Sequence, residues 1–214
     1  ELALVGGDYL EAGRYAQLAK DYDRNSLSAN RLLAILARLE GNIEEWDRIL
    51  SSILELDPLH HFAEAELHLA GVSAEAELIE GFRSEYPEQE LLELVIDYVK
   101  LDRRADAIVL LELGETAFGH AMLRVWRAYL TEDSGALDGG ADPDFIFPYR
   151  PESIPVLEWA VASDSHWSWD YLLGLNLWAR DRVPEAIELF IGLGQTPDYG
   201  PFYVSRALMA SQFE

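Results

Sequence analysis

His60, Glu64 and His68 follow one another at intervals of four residues, and His61 lies seven before His68, so on one helix they share a face. Imidazole and carboxylate groups at that spacing are metal-ligand chemistry. The spacing matches no zinc motif and no second shell is visible; solvated side chains on a helix account for it as well, and no metal is assigned. Asp138, Asp142 and Asp144 crowd a glycine-bearing stretch, as in a calcium loop. The central glycine and closing glutamate of an EF-hand are out of register, and an ordinary acidic loop is the preferred reading. Ser165-His166 has no nucleophile elbow, and Gly135 to Gly140 follow no strand and form no phosphate-binding fingerprint. With 39 acidic residues, close carboxylate pairs say nothing about glycoside hydrolysis. Neither a catalytic residue nor a cofactor is expected.

The aromatic supply carries more information. Phe145, Phe147 and Tyr149 precede Arg150, and Trp167, Trp169, Tyr199 and Tyr203 follow. Tyr149, Arg150, Trp167 and Trp169 are the candidate binding residues, since aromatic faces beside a guanidinium suit a sugar or a peptide anchor. An aromatic core is the competing and preferred reading. Helical spacing places Trp159, Tyr171 and Trp178 in that core, whereas the serine-flanked Trp167 and Trp169 are expected to be exposed.

These residues must be positioned by helices. The 3.6-residue periodicity and the breakers predict helices near 8–23, 27–40, 43–56, 59–70, 73–85, 88–101, 103–112, 116–131, 151–163, 166–180, 183–193 and 199–212, with residues 1–6 as the tail of another. Phe145-Ile146-Phe147 is strand-like, but Pro143 and Pro148 bracket it, and it is read as loop. The segment 132–150, with three glycines and two prolines, is a long insertion. Its small, acidic first half is expected to be mobile. Its second half is expected to dock, because Phe145, Ile146, Phe147 and Tyr149 each gain about 1.5–3 kcal/mol on burial.

Self-similarity organises the helices. Gly7-Asp8-Tyr9 and Gly41-Asn42-Ile43 each open a helical pattern, thirty-four residues apart. Leu33-Ala34 and Leu173-Gly174 supply a large-then-small pair, Ala186 and Phe190 follow Asp181-Arg182, and Gly71 and Asp102 mark further turns. Thirty-four is the tetratricopeptide period, and the chain resembles a tetratricopeptide-repeat protein. That resemblance implies an all-α, right-handed superhelical array of antiparallel helix pairs, a single α-solenoid domain over 1–214. Its repeats are regular over 1–58, degenerate over 59–131, interrupted by the insertion 132–150, and regular again over 151–214. A second likeness lies in Pro143-Asp144-Phe145-Ile146-Phe147-Pro148-Tyr149-Arg150-Pro151-Glu152, Val156 to Ala160, Tyr171-Leu172-Leu173 and Thr196 to Tyr203. These segments are similar to the C-terminal repeat region of large bacterial proteins that carry an upstream β-rich domain of unknown function. The likeness implies that such a domain precedes this chain, which begins at Glu1 and not Met; it transfers no catalytic residue.

Charge and composition bound the role. Sixteen Lys and Arg against 39 Asp and Glu give a net charge of −23, a field that repels nucleic acid and anionic membrane surfaces. Half of the residues are hydrophobic, enough for a packed core, and there is no cysteine to form a disulfide or a thiolate site. No apolar run reaches membrane-spanning length, and the compartment stays open with the cytoplasm slightly favoured. The expected function is a non-catalytic interaction or scaffold module, binding a protein segment or docking its own upstream domain. An accessory carbohydrate-binding role for the aromatic last third is the alternative. Leu2, Leu4, Val5 and Tyr9 are expected to form an apolar amino-terminal face.

Overall fold

The structure, a computed structural model, describes residues 8–211. It forms two compact units, one reaching to Phe118 and the other beginning at Gly119. The first holds α1 (Tyr9–Tyr22), α2 (Leu27–Leu39), α3 (Ile43–Leu56), α4 (His61–Leu69), α5 (Glu75–Gly81), α6 (Pro87–Lys100) and α7 (Arg104–Phe118). The second holds α8 (Ala121–Thr131), a 3-10 turn at Ser134–Leu137, α9 (Ser153–Ser163), α10 (Trp167–Trp178), α11 (Val183–Gly192) and α12 (Gly200–Ala210). All regular structure among the described residues is helical. Gly7 and the apolar residues Leu2, Leu4 and Val5 lie outside those residues; Tyr9, just inside, is exposed.

Local chemistry starts the helices where the sequence says. The side chains of Asp8, Ser26 and Asn42 accept hydrogen bonds from the amides of Glu11, Ala29 and Glu45, satisfying donors that a helix start leaves free. Pro87, Pro184 and Pro201 sit in first turns, where a missing N–H costs nothing.

Helix ends show a sharper regularity. α2, α4, α6, α8 and α10 all finish in the same way, with a left-handed residue at Gly41, Gly71, Asp102, Glu132 and Asp181. The amide just after each bonds to the carbonyl five residues back: Asn42 to Ala37, Val72 to Leu67, Arg103 to Tyr98, Asp133 to Ala128 and Arg182 to Leu177, all at 2.8–3.0 Å. This is the Schellman closure, which satisfies carbonyls that the helix end would orphan. Glycine takes the left-handed conformation without strain at Gly41; aspartate tolerates it at Asp102 and Asp181. The first four turns recur every thirty or thirty-one residues. The fifth comes later by the length of the insertion.

The pairs close on small residues. Ala34 and Ala37 are buried on α2 where α3 brings Trp46, Ile49, Leu50 and Ile53. On α10, a β-carbon at Gly174 would stand 2.4 Å from Cε2 of Phe190, so the glycine is what lets the Phe190 ring of α11 lie against the helix. One boundary differs from the sequence expectation of a break near Leu113-Gly114. α7 runs unbroken through a buried Gly114 and stops before Gly119. A mid-helix glycine costs only about 1 kcal/mol, and the buried Leu110, Leu111 and Leu113 beside it outweigh that.

Candidate functional site

In the first unit a cavity of about 300 Å³ opens between α2, the start of α4 and α6. Asp57 and Pro58 end α3 and turn the chain, so that His60 and His61 stand at the mouth of α4. Arg31 of α2 pairs with Asp97 of α6, and its guanidinium carbon lies 5.1 Å from the Phe62 ring centroid. His61 Nε2 is 3.3 Å from the Gly81 carbonyl and 4.0 Å from Glu90 Oε2. Among the described residues, Glu90 Oε2 and His60 Nδ1 have no hydrogen-bond partner. Burial, and then the nearby Arg31, hold His60 below its ordinary value, so the ring is neutral at pH 7. With Arg31 committed to Asp97, the walls present Asp57, Glu90 and Glu93. Their chemistry is acceptance of cations and N–H donors. The structure does not make a metal site of His60, His61, Glu64 and His68: among the described residues no three His, Asp or Glu side chains come together as ligands.

The second unit divides the four candidate binding residues. Trp169 is fully buried, its indole N–H donating to Asp164 Oδ2 at 2.8 Å, which corrects the expectation that it is exposed. One turn of helix places Trp167 and Trp169 on different faces, and only the first reaches the surface. Trp167 is half-buried among His166, Tyr171 and Tyr199, with ring centroids 5.6–6.3 Å away. Tyr149 and Arg150 lie at the other end of α10, where Asn176 and Arg180 donate to the carbonyls of Arg150 and Tyr149, both at 2.9 Å. Trp167 and Asn176, nine positions apart, are separated by about 14 Å of helix, so the four do not form one pocket. Tyr171, Phe190 and Phe202 stack at 5.3–5.8 Å as a core cluster, while Trp159 and Trp178 are half-buried.

The insertion is anchored along both halves, and its first half is not the mobile part that the sequence suggests. In the first half Leu137 and Ala141 are buried, Arg124 donates to the Gly140 carbonyl, and the Ala141 amide donates to Ser168 Oγ at 2.8 Å. In the second half Pro143, Ile146 and Pro148 are buried, while Phe145 is 77% exposed and Phe147 and Tyr149 about half. Backbone groups held by side chains of α8 and α10, rather than aromatic content, select the docked residues. Asp144 is held as well. It accepts a hydrogen bond from the Tyr199 hydroxyl, and burial together with that carboxylate pushes the phenol up to about 12.

His166 Nδ1 and Ser168 Oγ are 2.8 Å apart, which resembles a nucleophile and its base. Ser168 is fully buried and already accepts from Ala141, so the contact is a latch on the insertion. Gly140 must be glycine for it to close. Its φ is +69°, and a β-carbon there would lie 1.8 Å from His166 Nδ1. Gly140→Ala is expected to cost about 2–3 kcal/mol through backbone strain and overpacking. Limited proteolysis checks it: the variant should be cut between Ser134 and Asp142 well before the parent chain is, and equal rates would rule out the latch.

Sequence reasoning missed a buried charge cluster in the first unit. Glu66, fully buried on α4, accepts from Arg38 Nε and Nη2 at 2.8 and 3.1 Å, from Tyr98 Oη at 2.7 Å and from Trp46 Nε1 at 3.2 Å. Arg38 also reaches Asp106 at 2.8 Å, and Arg103 Nε donates to Asp106 at 3.0 Å. Burial pushes the Tyr98 phenol well up, with Glu66 adding to it. The one available signal was register: Glu66 stands five residues before its turn glycine, where α2 has the buried Leu36.

Comparison of the chain with protein-family models, with curated proteins and with solved structures finds no match. No helix of the described residues is long and apolar enough to cross a membrane.

Proposed function

We propose that this chain is a non-catalytic interaction module of tetratricopeptide type, in which helix pairs stack as a right-handed array and hold a segment of a partner protein. The observation that carries the reading is the cavity between α2, α4 and α6, which is walled by the first helices of three successive turn-linked pairs. In such an array those helices line the inner face, and a ligand segment meets one side chain from each. Asp57, Glu90 and Glu93 give that face a negative potential, which selects Lys- or Arg-bearing segments and hastens their encounter.

Panning a random peptide library on the immobilised chain tests this. Selected peptides should carry Lys or Arg, bind less tightly as salt rises, and lose at least tenfold in affinity to Glu93→Lys or Asp57→Lys, with the circular dichroism unchanged. Selection that ignores both substitutions would place binding elsewhere. A second reading, capture of a sugar, draws on Tyr149, about half exposed with the Arg150 guanidinium 4.8 Å from its ring centroid. Retention of the chain on a glycan array, abolished by Tyr149→Ala, would favour it.

A further inference from the structure

Two arginines stand seven positions apart on α2 and are held very differently. Arg38 donates to Glu66 through Nε and Nη2 and to Asp106 through both Nη atoms, with only 15% of its side chain exposed. Among the described residues Arg31 hydrogen-bonds to Asp97 alone, through Nη2, and 25% of its side chain and 40% of its partner's are exposed. An ion pair open to water in this way contributes little to stability, so Arg31 can leave it at small cost. The pair is also a wall between two openings. One is the cavity between α2, α4 and α6; the other, of about 50 Å³, is lined by Ser28, Leu32, Lys100 and Leu101, and Arg31 and Asp97 line both. The Arg31 guanidinium covers the buried Phe62, its carbon 5.1 Å from the ring centroid.

We infer that the place held by Arg31 is an arginine subsite: an arginine of the bound segment displaces Arg31, takes over Asp97 and the Phe62 face, and joins the two openings into one groove. The inference rests on the reading of this cavity as the seat of a partner segment, and it names a residue that the segment carries. Arginine is selected over lysine because the place is already shaped to a guanidinium. A planar fork stacks on the Phe62 ring while it bonds to the Asp97 carboxylate, whereas an ammonium is more strongly hydrated and has no flat face to lay on the ring. Arg38 offers no such exchange, since its several bonds to two carboxylates would all have to break at once. In the free chain Arg31 fills the subsite and keeps water off Phe62.

Nα-acetyl-argininamide and Nα-acetyl-lysinamide are the probes, titrated into the full chain and followed by the amide chemical shifts of α2 and α6. Arg31→Ala should bind the arginine probe about three- to fivefold more tightly than the parent, the ratio expected once a half-exposed ion pair no longer competes. The lysine probe should gain clearly less, and Asp97→Asn added to Arg31→Ala should remove the gain, with the circular dichroism unchanged throughout. A further measurement needs no substitution: in the parent, the bound arginine probe should shift the side-chain nitrogen resonances of Arg31. The inference is overturned if Arg31→Ala gains nothing, if the lysine probe gains as much, if the gain survives Asp97→Asn, or if the Arg31 resonances stay in place. Failure of the wider reading shows separately, because the peptide selection turns on Asp57 and Glu93 and this titration alters neither.

Discussion

Glu66→Ala should destabilise the first unit by about 3–5 kcal/mol and lower its thermal midpoint by on the order of 10 °C. The loss does not measure the worth of one ion pair in water. Glu66 is inaccessible and takes four hydrogen bonds from three side chains, so its removal leaves Arg38 half-compensated and strands the Tyr98 hydroxyl and the Trp46 indole without an acceptor. Arg38→Met should cost a comparable amount, because it orphans Glu66 in turn. The double variant Glu66→Leu/Arg38→Met removes both charges and fills the space, and it should lose much less than the sum. Urea unfolding of the parent, Glu66→Leu, Arg38→Met and Glu66→Leu/Arg38→Met gives the cycle; additive losses, or a Glu66→Ala cost below about 1 kcal/mol, would mean the cluster contributes little. The cluster also sets an acid limit. Burial raises the Asp106 carboxyl, but hydrogen bonds and charge from Arg38 and Arg103 outweigh it and leave the group below its ordinary 3.8. A depressed folded value means that its contribution is fully present above 3.8 and disappears as pH falls through the lower folded value. Asp106→Asn should flatten that part of the acid unfolding curve.

Gly174→Ala should destabilise the second unit, against the usual gain of up to about 1 kcal/mol from replacing a mid-helix glycine. The added carbon meets Cε2 of Phe190 at 2.4 Å and Cδ2 at 2.8 Å. That ring cannot swing aside, since it is stacked on Phe202 at 5.3 Å and set edge-on to Tyr171 at 5.6 Å. Overpacking of this kind costs about 1–3 kcal/mol, and Gly174→Leu should prevent the unit from folding. Phe190→Leu in the Gly174→Ala background makes room and should recover part of the loss. Near-ultraviolet circular dichroism and urea unfolding read both effects, and a Gly174→Ala chain as stable as its parent would show that α10 and α11 do not pack closely through that contact.

Helix identity and the turns at Gly41, Gly71, Asp102 and Asp181 were determined by the sequence alone, because each depends on residues within one or two turns of the chain. The sequence marked Gly174 as a small position and Phe190 as a large one, but their meeting was set by the packing of α10 on α11. Trp169 marks where local reasoning stopped: serine neighbours suggested a surface, and the hydrogen bond to Asp164 together with the α10 packing face put the ring in the core. The insertion went the same way. Its aromatic half looked like the part to bury, but the polar contacts of Gly140 and Ala141 came from Arg124 and Ser168, on helices on either side of it in the chain, and those contacts anchored the half expected to be mobile while Phe145 stayed exposed. Glu66, Arg38 and Asp106 are twenty-eight and sixty-eight residues apart by the separations of their bonds, so no window of sequence contains the cluster. Tertiary structure alone decided it, because the energy of a buried charge depends on which distant groups are brought within a hydrogen bond of it, and only the packed helices fix that distance.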